Sequence, residues 1–202
     1  TNFSWSPNRA LDISGFAIYN NSLIDSKQIS ITQYTDSDLG IPIETTDQTS
    51  QERSNQGLLK LSASYKPNVN NQLDYDILTR ISKDDQIQNL FSSVVGNTYQ
   101  LDEAAQYSIN QNLNYYYTLN EDNIFALEVQ HLLRDEDPFY NAIIENKENY
   151  KSTADALGLD EDQKDYNLAQ DRRIKTNQLD AKLDYFYIIN PKSNLNLTLG
   201  TI

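Results

Sequence analysis

Apolar and polar residues alternate with a period of two along much of this chain, and that alternation limits the possible folds more than any other feature. In the segment 58–65 one set of alternate positions is apolar, namely Leu59, Leu61, Ala63 and Tyr65. The pattern recurs, more loosely in the first case, over 11–19, 73–81, 107–117, 125–133, 179–187 and 195–199. Successive side chains of a strand point to opposite faces, so this period predicts half-buried antiparallel sheet.

Short and long connections alternate between these strands. Four short segments rich in turn residues each predict a hairpin, at 6–9, 67–71, 120–122 and 191–193. We interpret the long polar stretches between the hairpins as loops, at about 35–56, 83–106 and 135–177. The last of these contains a candidate short helix within 154–175, with Ser152 or Thr153 as its N-cap. The chain then holds about eight strand segments.

Short turns on one side of the sheet and long loops on the other are typical of a transmembrane β-barrel. Aromatic residues cluster beside the short turns, as a membrane-interface girdle would require, at Trp5, Tyr65, Tyr115, Tyr117, Tyr185 and Tyr187. Tyr107 and Tyr117 lie ten residues apart on one predicted strand. At ~3.3 Å per residue and ~45° tilt their separation in height is roughly 23 Å, close to the apolar band of an outer-membrane barrel.

Composition excludes several classes of protein. The chain carries 16 basic and 29 acidic residues, a net charge of −13, which disfavours nucleic-acid binding through a basic face. With no cysteine it has no disulfide, zinc ribbon or catalytic thiol. The single histidine, His131, falls at an apolar position near a strand end and is interpreted as a boundary residue of the barrel wall. We find no catalytic constellation and predict that the chain is not an enzyme.

Binding residues are expected mainly in the loops. Loop 135–177 is the predicted contact for a ligand or partner because of its length and aromatic residues, with contacts at Asp135, Asp137, Phe139 and Tyr140. No cofactor is predicted, although loop-bound calcium at Asp160, Glu161, Asp162 and Asp165 is an alternative to solvated carboxylates. Polar residues on the other strand face would line the barrel lumen: Lys60, Asp74, Asp76, Arg80, Glu128, Asp180, Lys182 and Asp184.

Two consecutive segments, 123–133 (NIFALEVQHLL) and 135–142 (DEDPFYNA), resemble TonB-dependent receptors of Bacteroidota that have a carboxypeptidase-regulatory-like N-terminal domain. The segments around 65–68 and 71–73 are similar to the same group. The resemblance implies a barrel of 22 strands around a plug domain, energised through the TonB protein. Residues 1–202 would then be an internal part of one barrel domain, without the plug, the TonB box or the N-terminal domain.

That resemblance places the chain in the outer membrane of a Gram-negative bacterium. The implied partners are outer-membrane lipid, the TonB system through parts outside this chain, and a surface lipoprotein or another outer-membrane protein. Two other functions remain open at this point. One is a barrel subunit of a secretion or assembly complex without transport, and the other is a soluble β-sandwich that binds a ligand such as a glycan.

Overall fold

The computed structural model describes residues 1–35, 43–145, 155–156, 158, 163 and 165–201. It confirms an all-β antiparallel fold. The strands are β1 Asn2–Asn8, β2 Leu11–Gln33, β3 Ile43–Asn68, β4 Asn71–Ser92, β5 Gly96–Asn120, β6 Asn123–Glu145, β7 Asp165–Asp171, β8 Ile174–Asn190 and β9 Ser193–Thr201. Among these residues no helix is long and apolar enough to cross a membrane.

All nine strands belong to one sheet in the order β1-β2-β3-β4-β5-β6-β8-β9, with β7 also paired to β6. Strands β7 and β8 follow one register along β6, since Phe139 pairs with Asp171 and Glu136 pairs with Ile174. The gap between them lies opposite Pro138, whose nitrogen carries no hydrogen for the ladder. The sheet therefore has eight strand positions. Strands β1 and β9 end the order, and within the described residues β7 pairs with β6 alone.

One parity rule describes both faces of the sheet. Away from the turns, every cross-strand pair joins two odd-numbered or two even-numbered residues, as in Leu73 with Tyr115 and Asp76 with Asn112. Because side chains alternate along each strand, all odd-numbered residues of the sheet share one face and all even-numbered residues share the other. We call these the odd face and the even face.

The four short hairpins predicted from the sequence are present and use one turn design. Each begins at an asparagine whose side-chain oxygen accepts a hydrogen bond from the backbone N–H two residues on, at Asn8, Asn68, Asn120 and Asn190. This is the Asx-turn, which favours a tight reversal. The carbonyls of Ala10, Asn70 and Asp122 also accept hydrogen bonds from the next hairpin along the sheet. The turns are thereby joined into one continuous rim.

Each hairpin is displaced from the one before it by the same amount. Leu11, the first residue of β2, pairs with Tyr65 on β3, and Tyr65 pairs with Leu73 on β4. Leu73 is two residues past the first residue of β4. The same two-residue step separates the start of β4 from that of β6, and the start of β6 from that of β9. The stagger is one residue per strand, which at ~3.3 Å rise and ~4.8 Å spacing corresponds to a strand tilt of about 35°.

The three long loops expected from the sequence are a wrong prediction, because strands run through most of them. Residues 83–106 form a continuation of β4, a three-residue turn at 93–95 and the start of β5. Gly96 follows that turn with φ of 95°, a conformation that glycine adopts without strain. Strand β3 begins at Ile43, and β6 continues to Glu145. The expected helix within 154–175 does not extend into its last part, where 165–171 is strand β7 and β8 begins at Ile174. Asp155 and Ala156 are helical, and Ser152, Thr153 and most of 157–164 lie outside the described residues.

The sheet has almost no hydrophobic core among the described residues. Two hydrophobic side chains there are buried, Ala142 and Tyr166, and both lie on the even face far from the short turns. Many large apolar side chains of the odd face remain exposed, including Leu179 at 58% and Leu197 at 55%. The sheet is thus held mainly by its backbone hydrogen-bond ladder, with an apolar face left to meet its surroundings.

Gly15 is required by close packing on the odd face, whereas Gly57 on the same face is not. A Cβ atom at Gly15 would lie 2.6 Å from the Lys60 carbonyl oxygen and 2.8 Å from the Phe3 ring, while one at Gly57 meets only the Ile81 carbonyl at 3.9 Å. We expect Gly15→Ala to lower the free energy of unfolding of the full-length protein by about 1–3 kcal/mol. Gly57→Ala is the matched control and should be neutral or slightly stabilising. Urea unfolding measures both, and equal effects would contradict the packing argument.

Candidate functional site

A bounded apolar band crosses the odd face at a fixed height above the short turns. On β4 it comprises alternate residues from Leu73 to Ile81, and on β6 from Phe125 to Leu133. The next odd position is charged on both strands, Lys83 on one and Asp135 on the other. The eight steps from Leu73 to Ile81 span about 22 Å of height at a ~35° tilt, and the charged Lys83 lies at about 27 Å. The band therefore has the thickness of a bilayer core.

The predicted aromatic girdle lies entirely on the odd face. Trp5, Tyr65, Tyr117 and Tyr187 each occupy the third position before the asparagine that opens a turn, so the stagger of the hairpins places them at one height. Tyr115 and Tyr185 lie one odd position further from the turns. Phe125 stacks between Tyr117 and Tyr185, with ring centroids 6.5 Å and 4.9 Å away. The structure thus places all six residues that the sequence singled out on one face, each within five residues of an asparagine that opens a turn.

A chain of polar side chains interrupts the apolar band. Tyr75 donates a hydrogen bond to Gln111 at 2.6 Å, Gln111 lies 3.1 Å from His131 Nδ1, and His131 Nε2 lies 2.8 Å from Asn177 Oδ1. With the Gln111 amide donating, Nδ1 is the acceptor, and Nε2 can donate to Asn177 Oδ1. His131, predicted as a boundary residue of the barrel wall, lies on the odd face. We call these four hydrogen-bonded side chains the polar relay.

The even face is mainly polar over the same height, with apolar exceptions such as Phe16, Ile18 and Leu58, and all eight residues predicted to face a lumen lie on it. Hydroxyl groups of neighbouring strands bond its carboxylates, with Ser64 donating to Asp74 at 2.6 Å and Thr198 donating to Asp184 at 2.5 Å. Lys182 is 3.0 Å from Asp184 and lies between it and Glu128 at 3.8 Å. This face can bind polar groups of a water-filled space or of another domain.

The four predicted contact residues lie on β6 and not in a loop, and the sheet separates them. Asp135, Asp137 and Phe139 are on the odd face, whereas Tyr140 is on the even face. Asp135 is buried and receives two hydrogen bonds from the Arg173 guanidinium, at 3.1 Å and 2.9 Å, with Lys175 3.7 Å away. The Arg173 hydrogen bonds lower the pKa of Asp135, and burial opposes that shift. This ion pair joins β6 to the break between β7 and β8.

A cleft of about 340 Å³ lies beyond the apolar band. Most of its lining residues belong to the even face, and its polar side chains there include Glu52, Asp84, Asp102, Tyr140 and Arg172. Of these, sequence reasoning selected Tyr140 alone for binding. Adjacent strands bring the others together, and their sequence separation of up to 120 positions gave no signal of that proximity.

No group of three or more His, Asp or Glu side chains suited to a metal ion occurs within the described parts of the chain. Three of the four residues considered for calcium, Asp160, Glu161 and Asp162, lie outside those parts, and Asp165 is the first residue of β7.

No protein-family model and no curated protein matches the sequence. The function must therefore be argued from the geometry of the sheet.

The Asp135–Arg173 pair makes stability depend on pH. A carboxyl whose pKa is lowered by folding stabilises the protein above its ordinary pKa of ~3.9, and loses that contribution as pH falls through the lowered value. We expect Asp135→Asn to destabilise the full-length protein at pH 7, with the difference from wild type shrinking below about pH 4. Asp137→Asn, two residues along the same face, is the control and should have a smaller effect. Urea unfolding at pH 7 and pH 3 distinguishes these results.

The polar relay should behave as one coupled unit. His131→Leu leaves Gln111 and Asn177 without their shared partner, so it should cost more than the loss of one hydrogen bond. In a double-mutant cycle, His131→Leu and Gln111→Leu should show a coupling of about 1 kcal/mol in the free energy of unfolding. Thr79→Leu, a polar-to-apolar change in the same band, provides the uncoupled control with His131→Leu. Additive effects for the relay pair would show that the two side chains do not interact.

Proposed function

We propose that this chain forms part of the wall of an outer-membrane, TonB-dependent receptor barrel that imports a ligand into the periplasm. The observation that carries the proposal is the constant stagger of one residue per strand across the sheet. A sheet that closes into a barrel needs a fixed stagger and a matching tilt, typically 35–45°. A tilt of about 35° follows from the register here.

Exposed side chains support a membrane as the surrounding medium. In a soluble sandwich the apolar face would be covered by a second sheet, but all strands of the described residues lie in one sheet. The apolar band, its aromatic edge beside the turns and its charged limit at Lys83 and Asp135 match the sequence of environments met on crossing a bilayer. The polar even face then faces the lumen, and the short turns face the periplasm.

Import is favoured over a purely structural role by the part of the sheet beyond the band. Strands β4 and β5 continue about ten residues past it, which adds roughly 27 Å to the wall. The cleft with Tyr140 and Arg172 lies on the lumen side of this extension, where an incoming ligand would pass. The resemblance of segments 123–133 and 135–142 to TonB-dependent receptors implies the same function. A secretion or assembly barrel is the alternative.

Single cysteines test the orientation of the two faces, because the chain has none of its own. Asn112→Cys on the even face should react with a water-soluble maleimide in intact outer membranes. Its neighbour Leu113→Cys, in the apolar band, should react at least ten times more slowly because lipid excludes the reagent. Ala105→Cys is the control, since it lies on the same strand and the odd face but beyond the band, and it should react rapidly. Equal rates at 112 and 113 in membranes would refute a lipid-facing wall.

Energised import has a separate test. Cells that produce the full-length protein are grown with and without a functional TonB protein, and the medium is compared by untargeted mass spectrometry. Import predicts at least one compound depleted only when both proteins are present. Deletion of the protein alone is the control for depletion by other receptors. If no compound shows this dependence while the maleimide pattern is as expected, the barrel serves secretion or assembly and not import.

A further inference from the structure

A second apolar surface lies on the odd face, beyond the membrane-thick band and separated from it by charged residues. We call it the outer patch, and it comprises Ile87, Phe91, Tyr99, Leu101 and Ile143. Ile87 pairs with Leu101 and Tyr99 pairs with Ile143 across neighbouring strands, so the side chains form one contiguous group. Ile87, Phe91 and Ile143 are 37–43% exposed. The Tyr99–Ile143 pair is about 20 Å above the band, too far to contact the bilayer core.

Acidic residues surround the outer patch. A row is the set of odd-face residues that pair with one another across successive strands. In the rows that contain the outer patch and in the next row towards the band, the acidic residues are Asp25, Asp47, Asp85, Glu103, Glu145, Asp165 and Asp171. The bases in the same rows are Lys27 and Arg53. Lys27 is paired with Asp47 at 3.0 Å, and Lys83 in the adjoining row is 3.6 Å from Asp85. An apolar centre with a rim of mainly one charge is the arrangement of a protein interface, where the rim selects the partner by its opposite charge.

We propose that the outer patch binds a partner protein whose contact surface has an apolar centre and a basic rim. Acidic residues outnumber basic residues in the rim, so the contact surface of the partner is expected to have a basic rim. A second copy of this chain would bring two acidic rims together, and the net charge of −13 adds to that repulsion. Anionic lipid headgroups would be repelled by the same carboxylates. The partner would lie against the outside of the wall, away from the cleft on the even face.

The partner is found by photo-cross-linking in the cell envelope. The full-length protein carries p-benzoylphenylalanine in place of Tyr99, or in place of Ile31 as a control. Ile31 is also on the odd face and is 72% exposed, but it is on β2, three strands away from Tyr99 on β5. The inference predicts a cross-link to one protein at position 99 that is absent at position 31, and mass spectrometry identifies that protein. Its purified form is then titrated against variants of the full-length protein.

The titration decides which surface features bind. Ile87→Ser/Ile143→Ser should lower the affinity at least tenfold, because it removes the apolar centre. Asp25→Asn/Asp171→Asn should lower it about threefold and reduce its dependence on salt, because rim charges steer association. Ile31→Ser should change the affinity less than twofold. Circular dichroism and heat-modifiable migration establish that each variant is folded, and the charge variant tests the inference even if the serine variant misfolds.

Several results would overturn the inference. They are equal cross-linking at positions 99 and 31, a cross-link to a second copy or to lipopolysaccharide, and unchanged affinity in both patch variants. The inference uses the proposed barrel only to define the outer side of the wall. A failed maleimide pattern would refute the barrel, whereas a normal maleimide pattern without a specific cross-link would refute the outer patch alone.

Discussion

The backbone hydrogen-bond ladder is the interaction on which the whole structure depends. Almost every described residue belongs to one antiparallel sheet, and two hydrophobic side chains are buried within it. A soluble domain of this size gains most of its stability from a packed core, which is lacking here. The ladder must therefore supply most of the stability of the fold. Its hydrogen bonds are strongest where water cannot compete for the N–H and C=O groups.

The ladder also determines how the two faces differ. A register that pairs odd with odd and even with even collects chemically similar residues from distant parts of the chain. Tyr65, Tyr115 and Tyr185 come to one face, and Asp74, Glu128 and Lys182 to the other. A one-residue slip in any pair would exchange the faces of that strand, so the alternating pattern fixes the register as well as the fold.

Much of this arrangement follows from the sequence, and the failures have a physical reason. Alternation predicted the strands within the apolar band, and segments rich in turn residues predicted the four short hairpins. Beyond the band the strands carry few apolar residues, as in the run from Lys83 to Gln88 where Ile87 is the only one, and such a strand has the composition of a loop. Asp135 and Arg173 are 38 residues apart, so their ion pair follows from register and not from any local motif.

The repeated turn and its constant stagger make each hairpin an interchangeable module. Adding one hairpin of this kind would supply two more strands and two more residues of stagger, in the same proportion as the existing ones. The tilt would stay at about 35° while the circumference grew, because tilt depends on the ratio of stagger to strand number. In the proposed barrel, gain or loss of such a unit would change the width of the enclosed space while keeping the tilt and the thickness of the apolar band.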